Sequence, residues 1–248
     1  MDVEETTINA STGDGEMAVV ITKPIEQTTG DNSWPVVVLF IDAPGLRPAT
    51  REYMARLAGH GYHVITPDLH HRHGRLLSYE PKTMAGDPEA RPTMMNWIAS
   101  MTDDQIQYDA EQALSAAGVS NETPYGVIGF CLGARAVYRS MERNPDRVRC
   151  GAGWHPSFLV DDEPDSPHLS AAQLDRPLYL GIGDADQVQS IAMHQKFLDA
   201  VADVDHVEVA IFAGADHGFS WPGYPNFHAE AAETSWSKTL AILESTLR

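Results

Sequence analysis

The 248-residue chain holds only two cysteines, Cys131 and Cys150, too few for a disulfide framework. Basic residues are also scarce: 17 Lys and Arg stand against 35 Asp and Glu, for a formal net charge of −18. That deficit argues against nucleic acid or an anionic membrane as a partner, since both favour clustered positive charge. No apolar run approaches the roughly 20 residues of a membrane span. The start, Met1-Asp2-Val3-Glu4-Glu5, lacks the basic and apolar regions of a signal peptide. Repeats, low-complexity tracts and a domain linker are missing as well. The expectation is one cytoplasmic domain covering 1–248, with both thiols reduced.

What is present is alternation. A hydrophobic fraction of 43% with 21% charged residues suits a soluble α/β domain with a full core. Two β-prone runs, residues 6–10 and 17–22, flank Thr12-Gly13-Asp14-Gly15 and predict an opening antiparallel hairpin. Gln27 to Ser33 reads as a polar loop. Val36 to Ile41 is a continuous apolar run, as in a strand buried on both faces. A helical pattern from Pro48 to Gly59 and a strand at His63–Thr66 complete a parallel crossover. His70 to Met101 has no clean period and reads as an irregular functional rim. Thr102 and Gln105 form a capping box for a helix that runs to about Ala117. Strands follow at 125–128, 148–154, 178–182 and 206–212, with helices after residue 133, from about 190 to 202 and from about 226–228 to 247. The pattern is α/β, a mostly parallel central sheet flanked by helices.

The most informative stretch is Gly129-Phe130-Cys131-Leu132-Gly133, between a buried strand and a helix. A small-x-nucleophile-x-small run in that setting is the nucleophile elbow of α/β-hydrolases, here with Cys in place of the usual Ser. The strained turn needs glycine on both sides so that strand and helix can pack closely. The N–H of Leu132, at the helix start, then faces a developing oxyanion. A buried structural Cys in a Gly-flanked turn is the alternative for the pentapeptide alone.

Three further candidates sit where strands end: Asp42, Asp186 and His217. Cys131, Asp186 and His217 run in the order nucleophile, acid, histidine. In that arrangement Cys131 attacks an acyl carbon, His217 shuttles the proton and Asp186 fixes the imidazole tautomer. Asp184 is the rival acid. Asp42 lies in the loop that supplies the second oxyanion donor in this fold, the N–H of Ala43; it is a candidate for activating the thiol, or simply a turn residue before Pro44-Gly45.

Together these residues resemble the dienelactone hydrolase (carboxymethylenebutenolidase) family over nearly the whole chain. The resemblance rests on residues 42–48, Pro67-Asp68-Leu69, the elbow, His155-Pro156, residues 165–168 and His217-Gly218-Phe219. It implies an α/β-hydrolase that cleaves a lactone or related ester with a Cys131-His217-Asp186 triad and neither metal nor organic cofactor. The acidic residue that switches the thiol on in the family, commonly Glu, would be Asp42. Well-known members hold the substrate carboxylate with arginines, one of them four residues after the histidine, where this chain has Trp221. Arg47, Arg72 and Arg91 are the candidates to replace it, with His155, Phe219 and Trp221 as further substrate-binding candidates.

Other readings compete. His70-His71-Arg72-His73 invites a metal site, against a polar rim as the plainer reading. The aromatics around the elbow suit either a pocket lining or ordinary core packing. A thioesterase or peptidase on the same triad, or a ligand-binding homologue without catalysis, are the alternative functions. The expected partner is a small-molecule lactone or ester, with the chain a monomer or homodimer.

Overall fold

In the computed structural model, residues 1–25, 33–80 and 86–248 are described. Most of the loop expected at 27–33 lies outside the described residues. The chain divides into two compact halves, Met1–Tyr125 and Gly126–Arg248.

The first half opens with β1 (Val3–Thr12) and β2 (Gly15–Pro24), the expected antiparallel hairpin, closed where Thr12 faces Gly15. Asp14 N–H donates to Thr12 Oγ1 at 3.2 Å, a side chain fastening its own turn. β3 (Val36–Phe40) is buried at every position and pairs in parallel with β4 (His63–Pro67), which pairs antiparallel with β2. The order is β1-β2-β4-β3. Helix α1 (Pro48–Gly59) joins β3 to β4 and buries Thr50, Tyr53, Met54, Leu57 and Ala58, the i, i+3, i+4 stripe of an amphipathic helix.

The stretch expected to be irregular from His70 to Met101 contains a helix, α2 (Ala90–Ser100). Its apolar signal is thin because only Ala90 and Met94, one turn apart, are buried. Pro92, in the first turn, costs no internal hydrogen bond there. Residues 81–85 of that stretch lie outside the described residues. α3 (Asp103–Ala116) follows with the predicted capping box: Gln105 N–H donates to Thr102 Oγ1 and Thr102 N–H to Gln105 Oε1.

The second half carries β5 (Tyr125–Phe130), β6 (Val148–Trp154), β7 (Leu178–Gly183) and β8 (Val207–Phe212), in that order. β6 pairs in parallel with β7, and β7 with β8. β5 and β7 are buried throughout, while β8 is half exposed, as suits an edge. α4 (Leu132–Arg143) packs on β6, and α6 (Ala229–Leu247) on β6 and β7. α4 comes close because β6 carries Gly153, where an added Cβ would stand 2.9 Å from Ala134 Cβ. α5 (Ile191–Val201) lies between β7 and β8 in sequence.

Candidate active site

The elbow holds Cys131 at φ 55°, ψ −117°, just before α4. A non-glycine residue there is strained by about 1–3 kcal/mol and persists only if its surroundings enforce it. Three hydrogen bonds do so. Cys131 N–H donates to Trp154 O at 3.1 Å, and Cys131 O accepts from Ala134 N–H at 3.1 Å and Ser157 N–H at 2.9 Å. The glycine at 129 is required by space, since a Cβ there would fall 2.1 Å from Gly133 O. Leu132, the first helical residue, carries one of the N–H groups that a helix start leaves without an intrahelical acceptor.

His217 follows β8 and Asp186 follows β7. Asp186 Oδ2 accepts from His217 Nδ1 at 2.7 Å, which assigns the ring proton to Nδ1 because an ionised carboxylate only accepts. Asp186 Oδ1 accepts from the N–H groups of Val188 and Gln189 at 2.8 and 2.7 Å, fixing the carboxylate. Asp184 turns elsewhere and accepts from Gly214 N–H at 2.6 Å. Asp216 fastens the histidine loop by accepting from Gln187 N–H and His217 N–H at 2.9 and 2.7 Å.

Burial disfavours the His217 imidazolium, but the Cys131 sulfur and the Asp186 carboxylate more than offset it and raise its pKa to about 10. His194, buried on α5, is pushed the other way: burial lowers its pKa, and the His217 charge adds to that effect. Cys150 lies on β6, fully buried; burial pushes its thiol to about 11, and Thr246 Oγ1 donates to it at 2.9 Å. Neither cysteine is in a disulfide.

The aromatic candidates form a buried cluster. Phe130 lies 4.5 Å from Trp221 and 5.4 Å from Trp154 between ring centroids, and Trp154 stacks on Phe219. His155 meets the edge of this cluster, with its ring 5.0 Å from His217 and 5.3 Å from Phe219, and its Nε2 pairs with Ser220 Oγ at 2.7 Å. Phe219 and Trp221 are both buried. Phe158, Val188 and Phe227 are exposed, and groups on or next to them hydrogen-bond to Cys131, Asp186 and His217. Ser157 binds Cys131, Val188 N–H binds Asp186, and Asn226 Nδ2 donates to His217 O at 2.9 Å.

In the first half, Asp42 Oδ2 accepts from Arg47 Nη2 at 2.7 Å, with both side chains buried. Ala43 O takes a hydrogen bond from His70 Nε2 at 2.9 Å. Arg72 binds both oxygens of Asp109 at 2.6 and 3.0 Å and Asp14 at 2.7 Å, while Arg91 is exposed on α2. Two of the three arginine candidates are thus engaged by carboxylates of their own half. His70, His71 and His73 also take separate partners: Ala43 O, Asp109 and Ser100 Oγ. Among the described residues no group of three or more His, Cys, Asp or Glu is arranged to hold a metal ion. No helix among them is long and apolar enough to cross a membrane.

One residue of this site escaped sequence reasoning: Ser157, whose Oγ lies 3.3 Å from Cys131 Sγ. The available signal was its place in the segment leaving the carboxyl end of β6.

The dienelactone hydrolase family model matches residues 18–247. A Yersinia pestis protein assigned as a carboxymethylenebutenolidase is 27% identical over 245 residues, covering 95% of this chain and 85% of its own. The carboxymethylenebutenolidase of Rhodococcus opacus is 25% identical over 229 residues, covering 90% and 86%. A crystal structure from Klebsiella pneumoniae assigned as a dienelactone hydrolase is similar with a TM-score of 0.82 at 22% identity, over 98% of this chain and 99% of that one. A dienelactone hydrolase-like promiscuous phosphotriesterase from metagenomic libraries reaches 0.76 at 18%, over the full length of both. The structural likeness places the chain in the α/β-hydrolase fold, with its mostly parallel sheet and N-terminal antiparallel hairpin, and the family match makes it a hydrolase of the dienelactone hydrolase type. The chain belongs to the dienelactone hydrolase family.

Proposed function

We propose that this chain hydrolyses a lactone or small carboxylic ester through an acyl-enzyme on Cys131. The observation that carries the reading is the 2.7 Å bond from His217 Nδ1 to an Asp186 carboxylate already held by two backbone N–H groups. An imidazole oriented in that way has its other nitrogen free for proton transfer. The raised His217 pKa supports a thiolate ready for attack.

In the proposed sequence Cys131 Sγ attacks the acyl carbon, and the carbonyl oxygen takes up the electron pair beside the Leu132 N–H. On collapse, His217 Nε2 gives its proton to the departing alkoxide; in a lactone that oxygen stays tethered to the acyl group. Neutral His217 then takes a proton from water, whose oxygen attacks the thioester carbon. The Cys131 thiolate leaves and the carboxylic acid is released.

The test is hydrolysis of a panel of neutral aromatic esters, matched thioesters and an anionic enol-lactone by wild type, Cys131→Ala and His217→Ala. Both variants are expected to fold and to lose roughly a thousandfold or more in kcat/KM. Rapid acid quenching followed by mass spectrometry should find the acyl group on the Cys131 peptide. Wild-type rates in Cys131→Ala would end the proposal. A strong preference for thioesters would move the assignment to a thioesterase, and a preference for the anionic lactone that Arg91→Ala abolishes would restore a carboxylate-binding site.

A further inference from the structure

We infer that Ser157 is a positioning residue for the reactive sulfur: its hydroxyl donates a hydrogen bond to the Cys131 thiolate and favours that form over the thiol. The inference deepens the nucleophile reading above and rests on it.

Ser157 grips Cys131 at both ends. Its N–H donates to Cys131 O at 2.9 Å, and its Oγ stands 3.3 Å from Cys131 Sγ. The residue is 1% exposed, so water does not compete for the hydroxyl. The segment that delivers it is strained and pinned. His155 and Phe158 sit at φ 39° and 61°, and backbone strain of this kind persists only where its surroundings dictate it. His155 N–H donates to Gly181 O at 2.8 Å, and Arg135 Nη1 donates to Phe158 O at 2.7 Å. The serine therefore has little freedom to leave the sulfur.

Chemistry sets the direction of the bond. A thiol could donate to the serine oxygen, but a thiolate has no proton, so the hydroxyl must donate. That bond weakens when the sulfur becomes a neutral thioester and strengthens again as the thiolate departs in deacylation. Ser157 would thus assist both formation of the nucleophile and its release. In this half, the titratable groups around the sulfur are His217, with Asp186 and His194 acting on it, and His155 against the His217 ring.

The test is the rate of iodoacetamide alkylation at Cys131 against pH, read by mass spectrometry on the full chain. Cys150, fully buried, does not compete. Hydrogen bonds to charged groups contribute about 1.5 kcal/mol or more, so Ser157→Ala should raise the alkylation midpoint by about one pH unit. Ser157→Thr should return the midpoint most of the way to the wild-type value, and Ser157→Gly should reproduce the Ala result should the Ala variant fail to fold. In ester hydrolysis, kcat should fall about tenfold with KM little changed. Folded Ser157→Ala or Ser157→Gly with the wild-type midpoint would overturn the inference. Loss of the nucleophile reading itself has a different signature, wild-type hydrolysis by Cys131→Ala, and leaves the alkylation midpoints readable.

Discussion

Two buried carboxylate–cation pairs in this chain share the same 2.7 Å separation yet differ in what they can do. Asp42 and Arg47 are five residues apart, with Arg47 at the N-cap of α1, and the pair closes the turn after β3. Asp186 and His217 are 31 residues apart and come from the ends of β7 and β8. Side-chain exposure is slight in both, 7% and 1% in the first, 1% and 14% in the second. The difference lies in the cation. A guanidinium keeps its proton throughout the accessible pH range, so the first pair can hold a fixed charge. An imidazole can release its proton and take it back, so the second can carry one. Distance and burial alone do not separate a pair that only holds charge from one that can also move a proton.

The sharpest way to break the comparison is to alter the acid of the proton-carrying pair. Asp186→Asn should lower kcat/KM for ester hydrolysis by roughly a hundredfold to ten-thousandfold, because the amide can no longer select the Nδ1–H tautomer. Asp184→Asn keeps an acceptor for Gly214 N–H and should stay near wild type. Equal activity in the two variants, measured on one neutral ester, would remove Asp186 from its role.

The Asp42–Arg47 pair should break differently. Asp42→Ala takes the carboxylate away from a buried guanidinium and should cost about 3–5 kcal/mol, a fall in Tm of roughly 6–20 °C for a chain of this size. Calorimetry checks this, and a shift within 1–2 °C would show that Arg47 does not depend on Asp42. If Asp42 also governs the thiol, the alkylation midpoint of Cys131 moves in Asp42→Asn as well; an unchanged midpoint and turnover would leave Asp42 as a turn residue.

The smallest effect is on stability against pH. The His217 pKa is raised from 6.5 to about 10 on folding, so the native state binds this proton more tightly than the unfolded chain. Its contribution is whole below 6.5 and is lost as pH rises towards about 10. Urea unfolding at pH 6, 8 and 10 should show that loss in wild type, and His217→Gln should lack this part of it. Identical pH slopes would mean that the ion pair adds nothing to the fold.

The elbow was legible because its demands are local. Gly129 admits Gly133 O at a distance no side chain tolerates, and the buried strand before it is apolar at nearly every position. The hairpin at Thr12–Gly15 and the Thr102–Gln105 capping box are likewise contacts within a few residues. Helix α2 was missed because two buried side chains, Ala90 and Met94, make too short a period to register. The engagement of Arg47 by Asp42 was missed although both residues had been singled out, since spacing in a turn does not say where two side chains point.

The amino-acid sequence by itself determined the strand and helix alternation, the strained cysteine turn and the order of nucleophile, acid and histidine. Each of these follows from backbone sterics or from apolar periodicity, which neighbouring residues set. Only the tertiary structure paired Asp186 rather than Asp184 with His217, turned Phe219 and Trp221 into core aromatics and brought Ser157 to the sulfur. Those outcomes depend on side chains that meet across 26 or more residues. Parallel strand pairing between β6, β7 and β8 brings the ends of distant segments together, and no local pattern encodes that meeting.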